Sequence, residues 1–243
     1  MRLWPKASDA NVRAGKLLVD SRGADDGYIF ASVSQITNKR LKLRISKDRD
    51  ILTYDLNGNA EYELFSLQLG DGFYRIDLYE NTYGKTYILV GSTAISVKLN
   101  DPNSPYLIPN QYVNYSEDSE VVKIADEICS GKTDHAAFLA IQNYIRSNYS
   151  YDFIRALTVK KGTLPDIDEA IRRRSGICQD LAALAVAMLR TQGIPAKLVI
   201  GYADKQYHAW VSYILNGTEH RYDPTAEIRR NRSIKTYSIE RTY

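Results

Sequence analysis

Cysteine, histidine and net charge are all scarce in this chain of 243 residues. It has 2 cysteines and 3 histidines, and its 32 basic and 29 acidic residues leave a formal net charge of +3. Two cysteines exclude a disulfide-built scaffold and a four-cysteine zinc site, and the separated histidines offer little for a metal centre. We therefore expect no metal and no cofactor. A nearly neutral balance does not favour nucleic acid or an anionic membrane as a partner.

Long apolar runs are also missing. No segment approaches the ~18 consecutive apolar residues of a membrane helix, so the sequence predicts no membrane span. The N-terminus carries charges throughout and lacks the apolar segment of a signal peptide. The sequence as given therefore predicts no signal peptide, which leaves two alternatives: a cytosolic protein, or a chain that begins after a removed signal.

The first half of the chain shows the period-two pattern of β-strands. Between Gly27 and Leu99, apolar and polar residues alternate in short runs separated by turn signals. About seven strands at this spacing predict an antiparallel β-sandwich. Tyrosine, with 19 residues against 5 Phe and 2 Trp, suits half-exposed strands and ligand-facing surfaces. Three prolines between Asp101 and Asn114 indicate a linker or a draped connection, so we place the sandwich domain at residues 1–115.

The second half, residues 116–243, changes to the period of 3.6 that is typical of helices. Cys178–Gln192 is apolar around nearly its whole circumference, which predicts a helix at the centre of the domain. Antiparallel strands follow, two of them joined by a tight turn at Asn216-Gly217. Helices followed by an antiparallel sheet predict an α+β domain, and the chain is therefore multi-domain. The other predicted elements are amphipathic helices over 121–128, from 133 and over 166–173, and strands over 197–202, 208–215, 218–222 and 236–241.

Three residues of the second half form a chemical pattern. Cys178 begins the buried helix, where free backbone N–H groups stabilise a thiolate and can hold an oxyanion. His208 opens one strand of the hairpin and Asp223 ends the other. With the turn at Asn216-Gly217, His208 faces a position near Thr225, so Asp223 is a diagonal neighbour within side-chain reach. A cysteine, an imidazole that takes its proton and an acid that orients the imidazole make a Cys-His-Asp triad.

Taken singly, each of these residues also has a purely structural interpretation. A cysteine at a helix start is usually a small buried apolar residue. Cys129, which lies beside Ile128 with no visible acid–base partner, is interpreted as helix packing. His135 and His220 are interpreted as ordinary polar residues. The joint arrangement of the other three residues favours catalysis.

The segment from Ser175 to Thr225 resembles the core of the transglutaminase-like superfamily. Each matching piece is short, but five in this order are specific. The resemblance implies a papain-like fold for the second half and says little about residues 1–115, although some bacterial members place a β domain first. The matching pieces are Gly176-x-Cys178-x-Asp180, Leu189-Arg190-x-x-Gly193-Ile194-Pro195-Ala196, Gly201-Tyr202, His208-Ala209-Trp210 and Asp223-Pro224-Thr225.

The resemblance implies a role for each matched residue. Cys178 would be the nucleophile, His208 the general base and acid, and Asp223 the acid that orients the imidazole. Members of the superfamily form an acyl-enzyme from an amide and pass the acyl group to an amine or to water, so a protein or peptide amide would be the substrate. They also supply an oxyanion donor upstream of the cysteine, for which Tyr149 and Tyr151 are the candidates.

Two neighbours of the triad bear on the reaction. Gln179 stands where animal cross-linking members usually carry tryptophan, which favours hydrolysis or proteolysis over cross-linking. Trp210 either walls the cleft beside His208 or fills the core. The alternative function is a cell-surface or cell-wall binding protein on the same scaffold with little or no turnover, in which the β domain holds a cell-wall or surface ligand. Bacterial members with this layout are often exported, which points to the cell envelope, and the compartment stays open.

Overall fold

The computed structural model describes residues 2–230 and 234–243. The chain divides into two compact units. One unit is Pro5–Pro105, and the other is Tyr106–Tyr243 together with the N-terminal residues up to Trp4. The division therefore falls between Pro105 and Tyr106, whereas the sequence prediction places the domain boundary after residue 115. No helix among the described residues has the length and apolar character needed to cross a membrane.

The segment between the two boundaries belongs to the second unit because it is buried there. Ile108 is fully buried, and its carbonyl accepts a hydrogen bond of 2.5 Å from Nη1 of the buried Arg190. Tyr115 is also buried and meets the ring of Trp4 edge-on, with 6.0 Å between the ring centroids. The proline-containing segment is therefore a draped connection and not an exposed linker.

The first unit is built from antiparallel strands alone, apart from two short 3₁₀ turns. Its strands form two four-stranded sheets, in the orders β1-β2-β3-β6 and β5-β4-β7-β8. They are β1 (Val12–Ala14), β2 (Leu17–Asp20), β3 (Tyr28–Val33), β4 (Leu41–Lys47), β5 (Asp50–Leu56), β6 (Glu63–Ser66), β7 (Gly72–Tyr83) and β8 (Thr86–Val97).

Strand alternation supplies the core of this unit. On β4, Leu41, Leu43 and Ile45 are buried, and their neighbours in the chain are only half-buried. Rings from the two sheets meet where Tyr54 of β5 packs on Phe65 of β6, 5.2 Å apart. The predicted antiparallel β-sandwich is confirmed. Six strands, rather than about seven, cover the predicted region because β7 and β8 each run for 12 residues.

The second unit is the predicted α+β domain. Its main sheet has the antiparallel order β13-β12-β11-β14, and β9 and β10 form a short parallel pair. The elements are α1 (Glu120–Cys129), α2 (Asp134–Asn148), β9 (Ser150–Tyr151), α3 (Phe153–Thr158), α4 (Ile167–Arg173), β10 (Ser175–Gly176), α5 (Cys178–Thr191), β11 (Ala196–Ala203), β12 (Gln206–Leu215), β13 (Thr218–Tyr222), α6 (Pro224–Ile228) and β14 (Tyr237–Thr242).

Helix α5 is the centre of this domain. Every residue from Leu181 to Leu189 is fully buried, as the apolar circumference of the helix predicts. The helix packs against β11 and β12, and also against α1 and α2. Its first residue, Cys178, is therefore held by the core at a fixed place beside the strand that carries His208.

Candidate active site

The β12–β13 hairpin brings an imidazole beside a carboxylate. Val211 pairs with Tyr222, which is the register predicted from the Asn216-Gly217 turn and is thereby confirmed. The ladder ends at Tyr222 because the next residue, Asp223, leaves the strand as the N-cap of α6. From that position the Asp223 carboxylate reaches His208, with 2.8 Å between Oδ2 and Nε2.

Both oxygens of Asp223 are held in place. Oδ1 accepts the backbone N–H of Ala226 at 2.9 Å, which is the N-cap interaction of α6. Oδ2 accepts from His208 and also from the hydroxyl of Tyr237, 2.9 Å away. Burial raises the pKa of Asp223, but these hydrogen bonds and the charge of His208 outweigh it, so the pKa lies below its ordinary value. The carboxylate is therefore ionised and cannot rotate freely.

His208 lies between Asp223 and Cys178. Its side chain is 12% exposed. Burial lowers the pKa of His208, but Asp223, which is bonded to Nε2, and the nearby Cys178 raise it by more, to about 9. Since Nε2 faces Asp223, Nδ1 is the ring nitrogen left for Cys178. The structure thus places His208 against Asp223 with Cys178 nearby, and at neutral pH the imidazole carries a proton.

Cys178 is the first residue of α5, partly exposed and with a free thiol. The first turn of the helix is fixed by the Asp180 carboxylate, which accepts the backbone N–H of Ile177 at 3.1 Å and that of Asp166 at 3.2 Å. Arg155 forms an ion pair with the same carboxylate, with 3.1 Å between Nε and Oδ2. The N–H groups in the first turn of a helix have no backbone acceptor within the helix, so those that follow the capped N–H of Ile177 are suited to bind an oxyanion.

The two tyrosine candidates lie in different surroundings. Tyr151 pairs with Gly176 across the short β9–β10 ladder. It also lies close enough to Cys178 for the two side chains to interact electrostatically. Burial and that charge both raise the pKa of Tyr151, so its hydroxyl stays protonated and can donate. Tyr149 is buried and packs edge-on against Tyr144, with 5.9 Å between ring centroids. The geometry therefore favours Tyr151 over Tyr149 as a group facing the thiol.

The remaining two candidates, Gln179 and Trp210, contact residues that flank the triad. Gln179 donates from Nε2 to the carbonyl of Thr163 at 3.0 Å and so ties the loop before α4 to the start of α5. Trp210 is only 3% exposed, lies nearly parallel to the ring of His208 and touches Tyr237 edge-on at 5.0 Å. Of its two interpretations, the structure supports core packing behind the imidazole.

His208 also helps to line a cavity of about 370 Å³. Within residues 2–230 and 234–243 there is no cluster of three or more His, Cys, Asp or Glu side chains that could hold a metal ion. Cys129 is buried in α1, and its thiol points at the carbonyl of Ala137, 3.7 Å away, in keeping with packing.

The site also matches known sequences. Residues 122–224 match the profile of the transglutaminase-like superfamily. The chain carries a transglutaminase-like core. The match begins within α1, covers the other helices before Cys178 and the first four sequence pieces, and ends at Pro224 in the fifth.

Individual relatives of the transglutaminase-like core are distant. An uncharacterised protein of Mycobacterium leprae is 26% identical over 136 residues, which are 51% of this chain and 47% of that protein, so the match spans about half the length of this curated relative. A candidate cysteine protease of Cytophaga hutchinsonii is 17% identical, with a TM-score of 0.44, over 89% of this chain and 83% of its own. Red sea bream transglutaminase is 13% identical, with a TM-score of 0.35, over 94% of this chain and 51% of its own. At TM-scores below 0.5 these structures differ too much for their activities to be transferred.

The sequence interpretation missed Tyr237, whose hydroxyl lies on Asp223. Replacing Tyr237 by Phe removes a donor from Oδ2, so the carboxylate becomes a stronger acceptor for the imidazole. We expect the pKa of His208 to rise in Tyr237→Phe, and the acylation rate of Cys178 to fall by about 3- to 10-fold as the carboxylate loses one restraint. NMR titration of the histidines and pre-steady-state acylation measure the two effects. Tyr83→Phe, at an exposed tyrosine, is the control, and an unchanged His208 titration would contradict this role for Tyr237.

Proposed function

We propose that this protein is a cysteine-dependent acyl-transfer enzyme that acts on protein or peptide amides. Cys178 is the nucleophile, His208 the general acid and base, and Asp223 the residue that orients the imidazole. The observation that supports the proposal is the position of His208, whose Nε2 is hydrogen-bonded to Asp223 at 2.8 Å and whose ring lies near enough to Cys178 for the thiol to raise the pKa of the imidazole. A structural histidine needs one partner, whereas this one joins an acid to a thiol.

The chemistry follows from the charges. A protonated His208 stabilises a thiolate on Cys178, and this thiolate attacks the amide carbonyl carbon. The oxyanion that forms is held by free N–H groups at the start of α5, with the hydroxyl of Tyr151 as a second donor. The C–N bond then breaks as His208 gives its proton to the leaving amine. Water attacks the thioester and passes a proton to His208, which releases the acid and restores the thiolate.

Hydrolysis is favoured over transfer to an amine. Cross-linking requires that water be kept from the thioester. Gln179, which follows the nucleophile, has a polar side chain that is bound to the loop carbonyl of Thr163, and it offers no aromatic surface to cover the thioester. The acyl group therefore passes to water in this proposal.

Acylation by 4-nitrophenyl acetate tests the proposal without knowledge of the natural substrate. The expected result is a burst of 4-nitrophenol with one acetyl group on Cys178 by mass spectrometry, absent from Cys178→Ala. Adding glycinamide then measures how the thioester partitions between water and an amine. Labelling of Cys129 instead, or no burst, would point to the alternative of a binding protein without turnover.

The protonation of His208 gives the folded protein a pH-dependent stability. The folded-state pKa is about 9 and the ordinary value is 6.5. The folded state thus binds the proton more tightly, and the stabilisation is complete below pH 6.5, declines as the pH rises and is lost above about 9. Urea unfolding of the wild type and His208→Gln should differ by about 1–3 kcal/mol at the acidic end and converge at the basic end. A constant difference across this range would contradict the assignment.

A further inference from the structure

The cavity beside His208 is lined by both apolar and polar residues, and it includes two basic side chains. Its volume is about 370 Å³, and the loop between β11 and β12 supplies one side of it while α6 supplies the other. Two of the lining residues, Lys205 and Arg229, are cationic. The lining consists of Ala203, Asp204, Lys205, Gln206, His208, Thr225, Ala226, Arg229 and Ile234.

Arg229, at the end of α6, lies beside the aromatic residues near Cys178. Its guanidinium lies 5.2 Å from the ring centroids of both Tyr151 and Phe153. Tyr151 in turn lies near Cys178. Arg229 therefore spans the space between the cavity and the residues around the thiol. Stacking on two rings holds the guanidinium plane while its N–H groups stay available to a ligand.

Neither cation is neutralised by the protein. Within the described part of the chain, no carboxylate lies within ion-pair distance of Arg229 or Lys205. The acidic lining residue, Asp204, is otherwise engaged, because its Oδ1 accepts the backbone N–H groups of Lys235 and Thr236 at 3.1 and 2.9 Å. The charges of Lys205 and Arg229 exceed the single charge of Asp204, and the imidazolium of His208 is balanced by Asp223, so the cavity is net positive.

We propose that this cavity binds a carboxylate of the peptide substrate, with Arg229 as its main ligand and Lys205 as the second cation. The inference rests on the proposed function and adds a substrate class to it: polypeptides with an acidic group next to the reacting amide. A guanidinium is suited to a planar carboxylate because its N–H groups match both oxygens. An acidic side chain and a C-terminal carboxylate share this chemistry.

Alkylation of Cys178 by two reagents of different charge tests the cavity. Iodoacetate carries the carboxylate and iodoacetamide is its neutral analogue, so the ratio of their rate constants reports the attraction for an anion near the thiol. We expect Arg229→Gln to lower this ratio about threefold or more, and Lys205→Gln to lower it less, because a unit charge is screened within about 10 Å at ordinary salt. Arg230→Gln, the same change one residue further on, is the matched control and should leave the ratio unchanged.

The source of the carboxylate is distinguished by protection of Cys178 against iodoacetamide. The probes are N-acetylated hexapeptides with an internal Glu and an amidated end, an internal Gln and an amidated end, and an internal Gln and a free C-terminus. Stronger protection by either acidic peptide, lost in Arg229→Gln, supports the inference and names the source. Equal protection by all three, or an unchanged alkylation ratio in Arg229→Gln, would overturn it.

Failure of the inference and failure of the proposed function give different results. The proposed function predicts that Cys178 reacts with iodoacetamide faster than a free thiol and that His208→Gln slows it. The carboxylate site predicts only the charge preference and its dependence on Arg229. A reactive Cys178 with no charge preference rejects the site alone, and an unreactive Cys178 rejects the activated nucleophile.

Discussion

His208→Gln is expected to slow acylation of Cys178 by about 10³-fold or more, which is the usual result of removing one member of a catalytic triad. Glutamine keeps a polar side chain of similar reach but cannot hold the proton that stabilises the thiolate or return it to the leaving amine. Asp223 keeps its hydrogen bonds with Ala226 and Tyr237, so we expect the surrounding structure to stay the same. The measurement is the burst of 4-nitrophenol, followed by stopped-flow absorbance.

His220→Gln is the matched control for this substitution. His220 is exposed on β13 of the same hairpin and stacks on Tyr213, with 5.4 Å between ring centroids. We expect its acylation rate to stay within a factor of about two of the wild type, as is usual for surface positions away from the chemistry. A His208→Gln variant that acylates nearly as fast as His220→Gln would show that the imidazole takes no part in the reaction.

Asp180→Ala is expected to lower the free energy of unfolding by about 3–5 kcal/mol, the loss that follows when one partner of a buried ion pair is removed. Asp180 is 1% exposed, and its carboxylate joins Arg155 to the backbone N–H groups of Ile177 and Asp166. Without it the buried backbone N–H of Ile177 has no acceptor, and the partly exposed Arg155 loses its ion-pair partner. Urea unfolding followed by circular dichroism measures the loss.

Two further variants separate the contributions of this carboxylate. Asp180→Asn keeps an acceptor for a backbone N–H but removes the charge, so we expect a smaller loss than in Asp180→Ala. Burial raises the pKa of Asp180 above its ordinary value, which shows that the ionised form is not fully compensated. Asp168→Ala, at an exposed position in the first turn of α4, is the control and should cost only a few tenths of a kcal/mol. Equal stability of Asp180→Ala and Asp168→Ala would contradict the structural role of this network.

Most of the fold can be predicted from the sequence because long helices and strands give a periodic pattern of apolar residues. The all-round apolar character of α5 predicts a central helix, and its residues from Leu181 to Leu189 are fully buried. The Asn216-Gly217 turn predicts the register of β12 and β13, and the observed pairs have that register. The second feature places His208 near Asp223 before any coordinates are known, whereas the approach of Cys178 to His208 depends on the packing of α5 against β12.

Short helices give no such periodic pattern. Helix α3 has six residues and none of them is buried, so it has no apolar stripe, and α6 has only five residues. Each nevertheless begins with an aspartate that caps it, Asp152 for α3 and Asp223 for α6. Reading these aspartates as helix caps would have predicted both helices.

The contacts of the residues around the triad could not be predicted from the sequence. Tyr237 reaches Asp223 because β14 pairs with β11, a contact between distant segments that no local pattern reveals. Arg229 is one of several basic residues in the sequence, and only the cavity and the two aromatic rings distinguish it from the others. Such contacts depend on how separate elements meet, so they need coordinates.

Helix α6 begins at the residue that orients the imidazole and ends at the residue that we propose binds the substrate carboxylate. Asp223 is its N-cap and Arg229 its C-cap. At 1.5 Å per residue, the two caps lie about 9 Å apart along the axis, and one inserted residue would turn Arg229 by about 100°. The helix thus acts as a fixed spacer between chemistry and selectivity. In the proposed site, a change of side chain at position 229 would alter the preference for an acidic substrate without touching the contact between His208 and Asp223.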